Sequence, residues 1–309
     1  MDTLKSAFLF PGQGSQYEGM LNNLPADPVV KEILEESSEI LNTHIDLLHS
    51  KKALSTTKAV QQCLLIASVA TFKIFEKNGL IPNYVAGHSV GAFGAATASG
   101  VISFEDALKL VTLRGELMEN TCGEGYGMAV VLGLDEYQLS DIVNKLFLES
   151  EPVYVSNRNA PTQVTLSGSL AGLQKVIDYV KIHGATSAQL LNVSTPSHSP
   201  LFDRVSQELL IELNKLELKR PKIPISSNIT SRLLMQADAV KEDLAKSICY
   251  PVRWHDAVNL LYESGTQIFI EMPPGDVLSK LAQQAFSEVR TMSISKNSIE
   301  DCFYVMSNS

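Results

Sequence analysis

Ser89 stands between Gly87 and Gly91 in YVAGHSVGAFGAATASG, residues 84–100. The pattern G-x-S-x-G puts a serine on a tight strand-to-helix turn and raises its hydroxyl into a cleft at a helix N-terminus. Backbone N–H groups and the helix dipole there favour a developing oxyanion. The flanking glycines are small because strand and helix must come very close. The Ala-, Gly-, Ser- and Thr-rich run that follows suits a helix whose backbone lies against its neighbours. The chemistry is nucleophilic, and a serine hydroxyl attacks poorly until a base takes its proton. Among six histidines, His88 adjoins the serine, where neighbouring side chains on such a turn point apart. His44, His49 and His183 fall in polar or helix-end segments and read as solvated. His198, in NVSTPSHSP, follows a strand where the chain re-enters the main fold, a good place for a base.

Arg114 is the second chemical signal. In FEDALKLVTLRGELMEN, Ala107, Leu110, Val111, Leu117 and Met118 form an i, i+3, i+4 stripe, and position 114 falls on it. A buried guanidinium without a partner costs about 3–5 kcal/mol. Its partner is either one of the 34 acidic residues or a substrate carboxylate gripped in two-point geometry. A third feature, FPGQGSQ at residues 10–16, is not G-x-G-x-x-G and opens no dinucleotide-binding unit. It is either a tight turn or a loop that aims backbone N–H groups at a ligand.

The elements that must position these residues alternate. SAFLFPG and NYVAGHS read as buried strands, and residues 27–41, 58–79, 90–99 and 103–121 as helices. Further on, KIPISSNI, TQIFIEM and VRTMSIS read as strands, and residues 238–247, 253–264 and 275–287 as helices. That alternation predicts a parallel α/β sheet, an α/β-hydrolase-like core. The middle differs: GMAVVLG, PVYVSNRN, TQVTLSG and SAQLLNV as strands, with two helices between, give βαββαβ, a ferredoxin-like unit. The expected organisation is a large domain of residues 1–125 and 195–309 carrying an inserted subdomain, 126–194.

Bulk properties narrow the class. The chain has 309 residues, 45% of them apolar and 19% charged, an ordinary globular composition. A net charge of −9 argues against nucleic acid as main partner, which needs a basic stripe. Cys63, Cys122, Cys249 and Cys302 are far apart with no C-x-x-C pair, so reduced thiols are expected rather than a disulfide frame or a metal site. The apolar run in MDTLKSAFLF is too short for a signal peptide. A cytoplasmic protein with no membrane association is expected.

Together, FPGQGSQ, GHSVG, LRGELM and PSH, in this order and rough spacing, resemble the malonyl-CoA:acyl carrier protein transacylases over nearly the whole chain. The resemblance implies that Ser89 is acylated and that His198 is its base. It implies an oxyanion hole from the backbone N–H groups of Gln13 and Val90, and Arg114 on the free malonyl carboxylate. It implies a main-chain carbonyl, matched to Arg253 in YPVRW, that orients the histidine, and Asn159 in the cleft wall. No permanent cofactor and no metal are implied: malonyl-CoA is a substrate, and the acceptor is the phosphopantetheine thiol of an acyl carrier protein. Ala92 replaces the acidic residue usual in the fatty-acid-synthesis form. YGMAVVLGLDE, NAPTQ and EMPPG look more like the transacylase subunit of malonate decarboxylase, which would add that enzyme's other subunits as partners. A free-standing acyltransferase serving fatty-acid or polyketide synthesis is the alternative. Two rivals stand outside this family. A serine hydrolase would need an HGGG-type segment and a late Asp-then-His pair, and a non-catalytic carrier-docking domain would not need Ser89, His198 and Arg114 together. Lys219, Arg220 and Lys222 in LKRPK are a candidate basic patch for an acidic carrier protein.

Overall fold

A computed structural model describes residues 4–193 and 195–308. Its first strand explains the architecture. In β1 (Lys5–Phe10), Phe8 and Phe10 point to one face and Ala7 and Leu9 to the other, and all four are fully buried. A strand buried on both faces belongs in the middle of a parallel sheet covered by helices. The remaining strands are β2 (Tyr84–Gly87), β3 (Tyr126–Leu132), β4 (Val153–Ala160), β5 (Gln163–Ser169), β6 (Ser187–Leu190), β7 (Ile225–Ser226), β8 (Leu233–Leu234), β9 (Thr266–Glu271) and β10 (Arg290–Ser293). One sheet has the order β10-β9-β1-β2-β7-β8, parallel except for the short antiparallel β7–β8 pair at its edge.

The helix Thr57–Lys77 is long and apolar enough to cross a membrane by length and composition. Here it is the central core helix, packed against the helices Pro28–Leu41 and Phe104–Thr121. Phe72 and Phe75 stack their edges against Phe8.

The second sheet, β4-β5-β3-β6, is wholly antiparallel. That strand order and its helices, Glu136–Leu146 and Leu170–Lys181, match the ferredoxin-like pattern expected from the sequence. It has its own core, with Val131, Val164, Leu166, Leu173, Ile177 and Val180 buried. The expected boundary residue 194, like residues 1–3 and 309, lies outside the described residues. β4 is stapled to the segment just before the helix Trp254–Glu263: Arg158 N–H donates to Val252 O and Val252 N–H to Ser156 O, both at 2.8 Å. Beside the staple, Arg158 and Arg253 share Glu136 and Asp256 at 2.8–3.5 Å.

Several expectations shift. The strand expected across KIPISSNI shortens to Ile225–Ser226, because Ser227 and Asn228 leave the sheet to bond Asp243. Helices at Asp203–Leu213 and Ile299–Ser307 were not expected. His49 is buried at 3% exposure, not solvated.

Candidate active site

β2 runs parallel to β1 and ends at Gly87, and the chain turns through His88–Val90 into the helix Gly91–Ala98. Ser89 sits at φ 55°, the left-handed region that side chains rarely adopt. The two glycines are required by contact. A Cβ on Gly87 would lie 2.2 Å from the Gly91 carbonyl, and one on Gly91 would lie 2.1 Å from Phe10 O. The helix is buried at all eight residues, so its small side chains are what let it press on β1.

His198 faces this turn. Its Nε2 is 2.8 Å from Ser89 Oγ, and its Nδ1 is 2.6 Å from Ser247 O. A carbonyl only accepts, so Nδ1 carries the proton and Nε2 presents its lone pair to the serine hydroxyl. Its backbone N–H donates to Ile248 O at 2.7 Å, a second point of hold on the same segment. Burial, and then the Arg114 cation, pull the His198 pKa down to about 3. The imidazole is therefore neutral at pH 7 and able to accept a proton. The orienting group is a main-chain carbonyl, but it belongs to Ser247 and not to Arg253. The Arg253 carbonyl accepts from Ala257 N–H and Ser231 Oγ, and its guanidinium pairs with Asp256 and Glu136.

Arg114 lies on the expected buried stripe at 1% exposure. Its Nη2 donates to Ser89 Oγ at 3.1 Å and its Nη1 to Met118 Sδ at 3.3 Å, while Nε has no partner among the described residues. Among the described residues no carboxylate comes within ion-pair distance of it. The internal salt bridge that the sequence left open is therefore absent there. Burial pulls its pKa down to about 9, so it is still a cation at neutral pH. A dry cation with spare donors, hydrogen-bonded to the Ser89 hydroxyl, can receive an anion.

A cavity of about 220 Å³ opens over Ser89 and His198, lined also by Gln13, Asn159, Met128 and Leu281. A wider cleft of about 900 Å³ shares Gln13, Leu191, Val193 and Thr195 with it. The backbone N–H groups of Gln13 and Val90 donate to no described residue, as oxyanion donors must before substrate arrives. Asn159 lines the cavity, and its Oδ1, 3.1 Å from His88 Nε2, holds the ring next to Ser89. Lys219, Arg220 and Lys222 are exposed near the Gly100 end of the helix that Ser89 precedes, and none lines either cavity.

Three residues were missed. Ser247 was read only as the last residue of the helix 238–247; it is the C-cap of Ala237–Lys246, where a carbonyl has no partner within the helix. Gln61, on the central helix, donates to Gln13 Oε1 at 3.3 Å and Met118 Sδ at 3.1 Å; a fully buried glutamine in an apolar helix was the available signal. Asn228 accepts from the Ser89 backbone N–H at 2.9 Å and donates to Gly87 O at 2.8 Å. Its signal was a run of polar residues, SSN, ending a buried strand.

The chain is similar to known proteins over nearly its whole length. The acyl transferase domain model matches residues 7–302. A malonyl CoA-acyl carrier protein transacylase from Bacillus subtilis is 35% identical over 296 residues, spanning 94% of this chain and 93% of that one. An acyl carrier protein S-malonyltransferase from Vibrio cholerae superposes with a TM-score of 0.91 at 33% identity, over 97% of this chain and 99% of that one. A malonyl-transacylase solved with its type II polyketide synthase acyl-carrier protein gives 0.91 at 32% identity, over 99% and 100%. A serine on a glycine-cramped elbow, a neutral imidazole and an unpaired buried arginine thus stand in a chain that belongs to the acyl transferase family, among the malonyl CoA-acyl carrier protein transacylases.

Proposed function

We propose that this chain transfers a malonyl group from malonyl-CoA, through an ester on Ser89, to the phosphopantetheine thiol of an acyl carrier protein. The observation that carries the reading is Arg114: a buried cation, without a carboxylate among the described residues, one hydrogen bond from the nucleophile. A malonyl carboxylate lies only two carbon–carbon bonds beyond the ester carbonyl, so an acyl chain on Ser89 Oγ brings it to the guanidinium.

In the first half-reaction Ser89 Oγ attacks the thioester carbonyl and its proton passes to His198 Nε2. The tetrahedral oxyanion is held by the Gln13 and Val90 N–H groups. The carbon–sulfur bond breaks, and the departing thiolate takes the proton back from His198. In the second half-reaction the carrier thiol gives its proton to His198 and attacks the ester, and Ser89 Oγ leaves with that proton. The Ser247 carbonyl supports the Nδ1–H throughout and favours the imidazolium that forms transiently.

The acceptor has two readings. The names of the relatives support an acyl carrier protein, in one case that of a type II polyketide synthase. YGMAVVLGLDE, NAPTQ and EMPPG support the carrier of a malonate decarboxylase. Transfer rates to fatty-acid, polyketide and malonate decarboxylase holo-carriers, measured side by side, choose between them.

Intact-mass measurement after exposure to malonyl-CoA should find one malonyl adduct, absent in Ser89→Ala. In Arg114→Ala, malonyl transfer should fall by about 100-fold or more, as loss of a charge-assisted fork predicts. Acetyl transfer should persist or rise. An unchanged malonyl preference in that variant overturns the pairing, and release of free malonate without a thiol favours a hydrolase.

A further inference from the structure

Ser89 holds a strained backbone in a turn whose own backbone bonds run from His88 N–H to Phe10 O, Gly91 N–H to His88 O and Ala92 N–H to Ser89 O, each at 3.0 Å, and leave the Ser89 N–H to a side chain. Residues in this region cost on the order of 1–3 kcal/mol and persist only where their surroundings over-determine them. Backbone bonds hold both sides of the residue, and one side chain spans it. The Asn228 carboxamide bridges the turn, taking the Ser89 N–H on Oδ1 at 2.9 Å and giving an Nδ2–H to Gly87 O at 2.8 Å. Its orientation is fixed by chemistry, since the serine N–H can only donate and the glycine carbonyl can only accept.

Asn228 is itself held. Its backbone N–H donates to Asp243 Oδ2 at 3.1 Å, and its carbonyl accepts from Arg253 N–H at 2.8 Å. Asp243 is buried, and its carboxylate also receives Ser227 Oγ–H and Ile229 N–H. Asn228 is 3% exposed, so water cannot replace either bond. Satisfying the Ser89 N–H through Asn228 also keeps that donor out of the oxyanion site and leaves it to Val90.

We infer that Asn228, anchored by Asp243, is the positioning residue that sets the Ser89 turn and aims its hydroxyl at His198. The inference rests on Ser89 being the nucleophile, and the test separates the two. A fluorophosphonate labels an activated serine without using Arg114, the carrier or CoA. Ser89 of the unaltered chain should be labelled, located by peptide mass, at a rate that Asn228→Ala lowers about 10- to 100-fold, the cost of misplacing a reacting group by about an ångström. For malonyl transfer the same variant should lose kcat by a similar factor while KM stays within about threefold, because Arg114 and the cavity are untouched. Asn228→Asp keeps an acceptor for the serine N–H but has no donor for Gly87 O, and should label about 3- to 30-fold slower. It also serves if the alanine variant does not fold. A labelling rate equal to that of the unaltered chain in either folded variant overturns the inference, as does a KM rise with kcat unchanged. Failure to label the unaltered chain overturns the nucleophile reading instead.

Discussion

Burial first, and the Arg114 cation second, depress the protonation of the His198 ring. A base whose pKa is pulled down to about 3 is already neutral where an ordinary histidine, near 6.5, would be half charged. The pH profile of kcat/KM reports free-enzyme groups, whereas kcat reports the acylated and substrate-bound forms. Transfer of malonyl should therefore hold a flat kcat/KM from about pH 8 down to about pH 5.5, with no acid limb near 6.5. A bound malonyl carboxylate offsets part of the Arg114 charge, so the acid limb of kcat should lie above that of kcat/KM. Arg114→Ala removes the second cause outright and should move the kcat/KM limb upward. A limb centred near 6.5 in the unaltered chain would mean that His198 is not held in this dry, cation-facing setting.

At the scale of elements, the close approach of the helix Gly91–Ala98 to β1 is the decisive contact. A methyl group on Gly91 would have to occupy the space of Phe10 O at 2.1 Å and Pro11 O at 2.8 Å, both backbone atoms that cannot rotate away. Gly91→Ala should therefore cost about 3 kcal/mol or more, at or above the upper end of overpacking penalties. It should lower the urea midpoint and abolish Ser89 acylation together, and a loss under about 1 kcal/mol would show that helix and strand can separate cheaply. This contact was legible in the sequence, because two glycines around a serine and a run of small residues state it directly. So were the long helices, through their apolar periodicity, and the stripe that carries Arg114. Less was legible where irregular backbone does the positioning. Which carbonyl of KSICYPVRW meets His198 depends on how a loop folds back, and the expectation fell on Arg253 where Ser247 makes the bond. Asn228 read as the end of a strand because Ile223, Ile225 and Ile229 keep a two-residue period across it, whereas its side chain belongs to a partner 139 positions away. The helix Asp203–Leu213 puts Val205, Leu209 and Leu213 at i, i+4 and i+8, a periodic signal that was there to be read and was passed over.

Over the whole molecule, two buried groups pull the pH dependence of folding in opposite directions. Glu271, at the end of β9, is fully buried; Oε2 accepts from Ser279 N–H at 2.7 Å and Oε1 has no partner. Burial pushes its pKa up to about 7 from 4.5. Between those values the folded chain binds more protons at Glu271 than the unfolded chain does, so stability falls as pH rises through the window. At about 1.4 kcal/mol per unit the loss is of order 3 kcal/mol. His198 acts the other way: from about 6.5 down to about 3 the unfolded chain binds the extra proton, and stability falls as pH falls. The two largely cancel between about pH 4.5 and 6.5, so the unaltered chain should show a nearly level stability there and a decline toward pH 8. Glu271→Gln keeps the acceptor for Ser279 N–H and removes the ionisation. Measured by urea unfolding at several pH values, this variant should gain on the unaltered chain as pH rises from about 5 to 8, by about 2–3 kcal/mol in all. Its own stability should slope downward on acidification below about 6.5, where the histidine acts unopposed. A difference between the two chains that does not change with pH would mean that Glu271 is already ionised in the folded core, held by donors other than the Ser279 and Leu278 N–H groups.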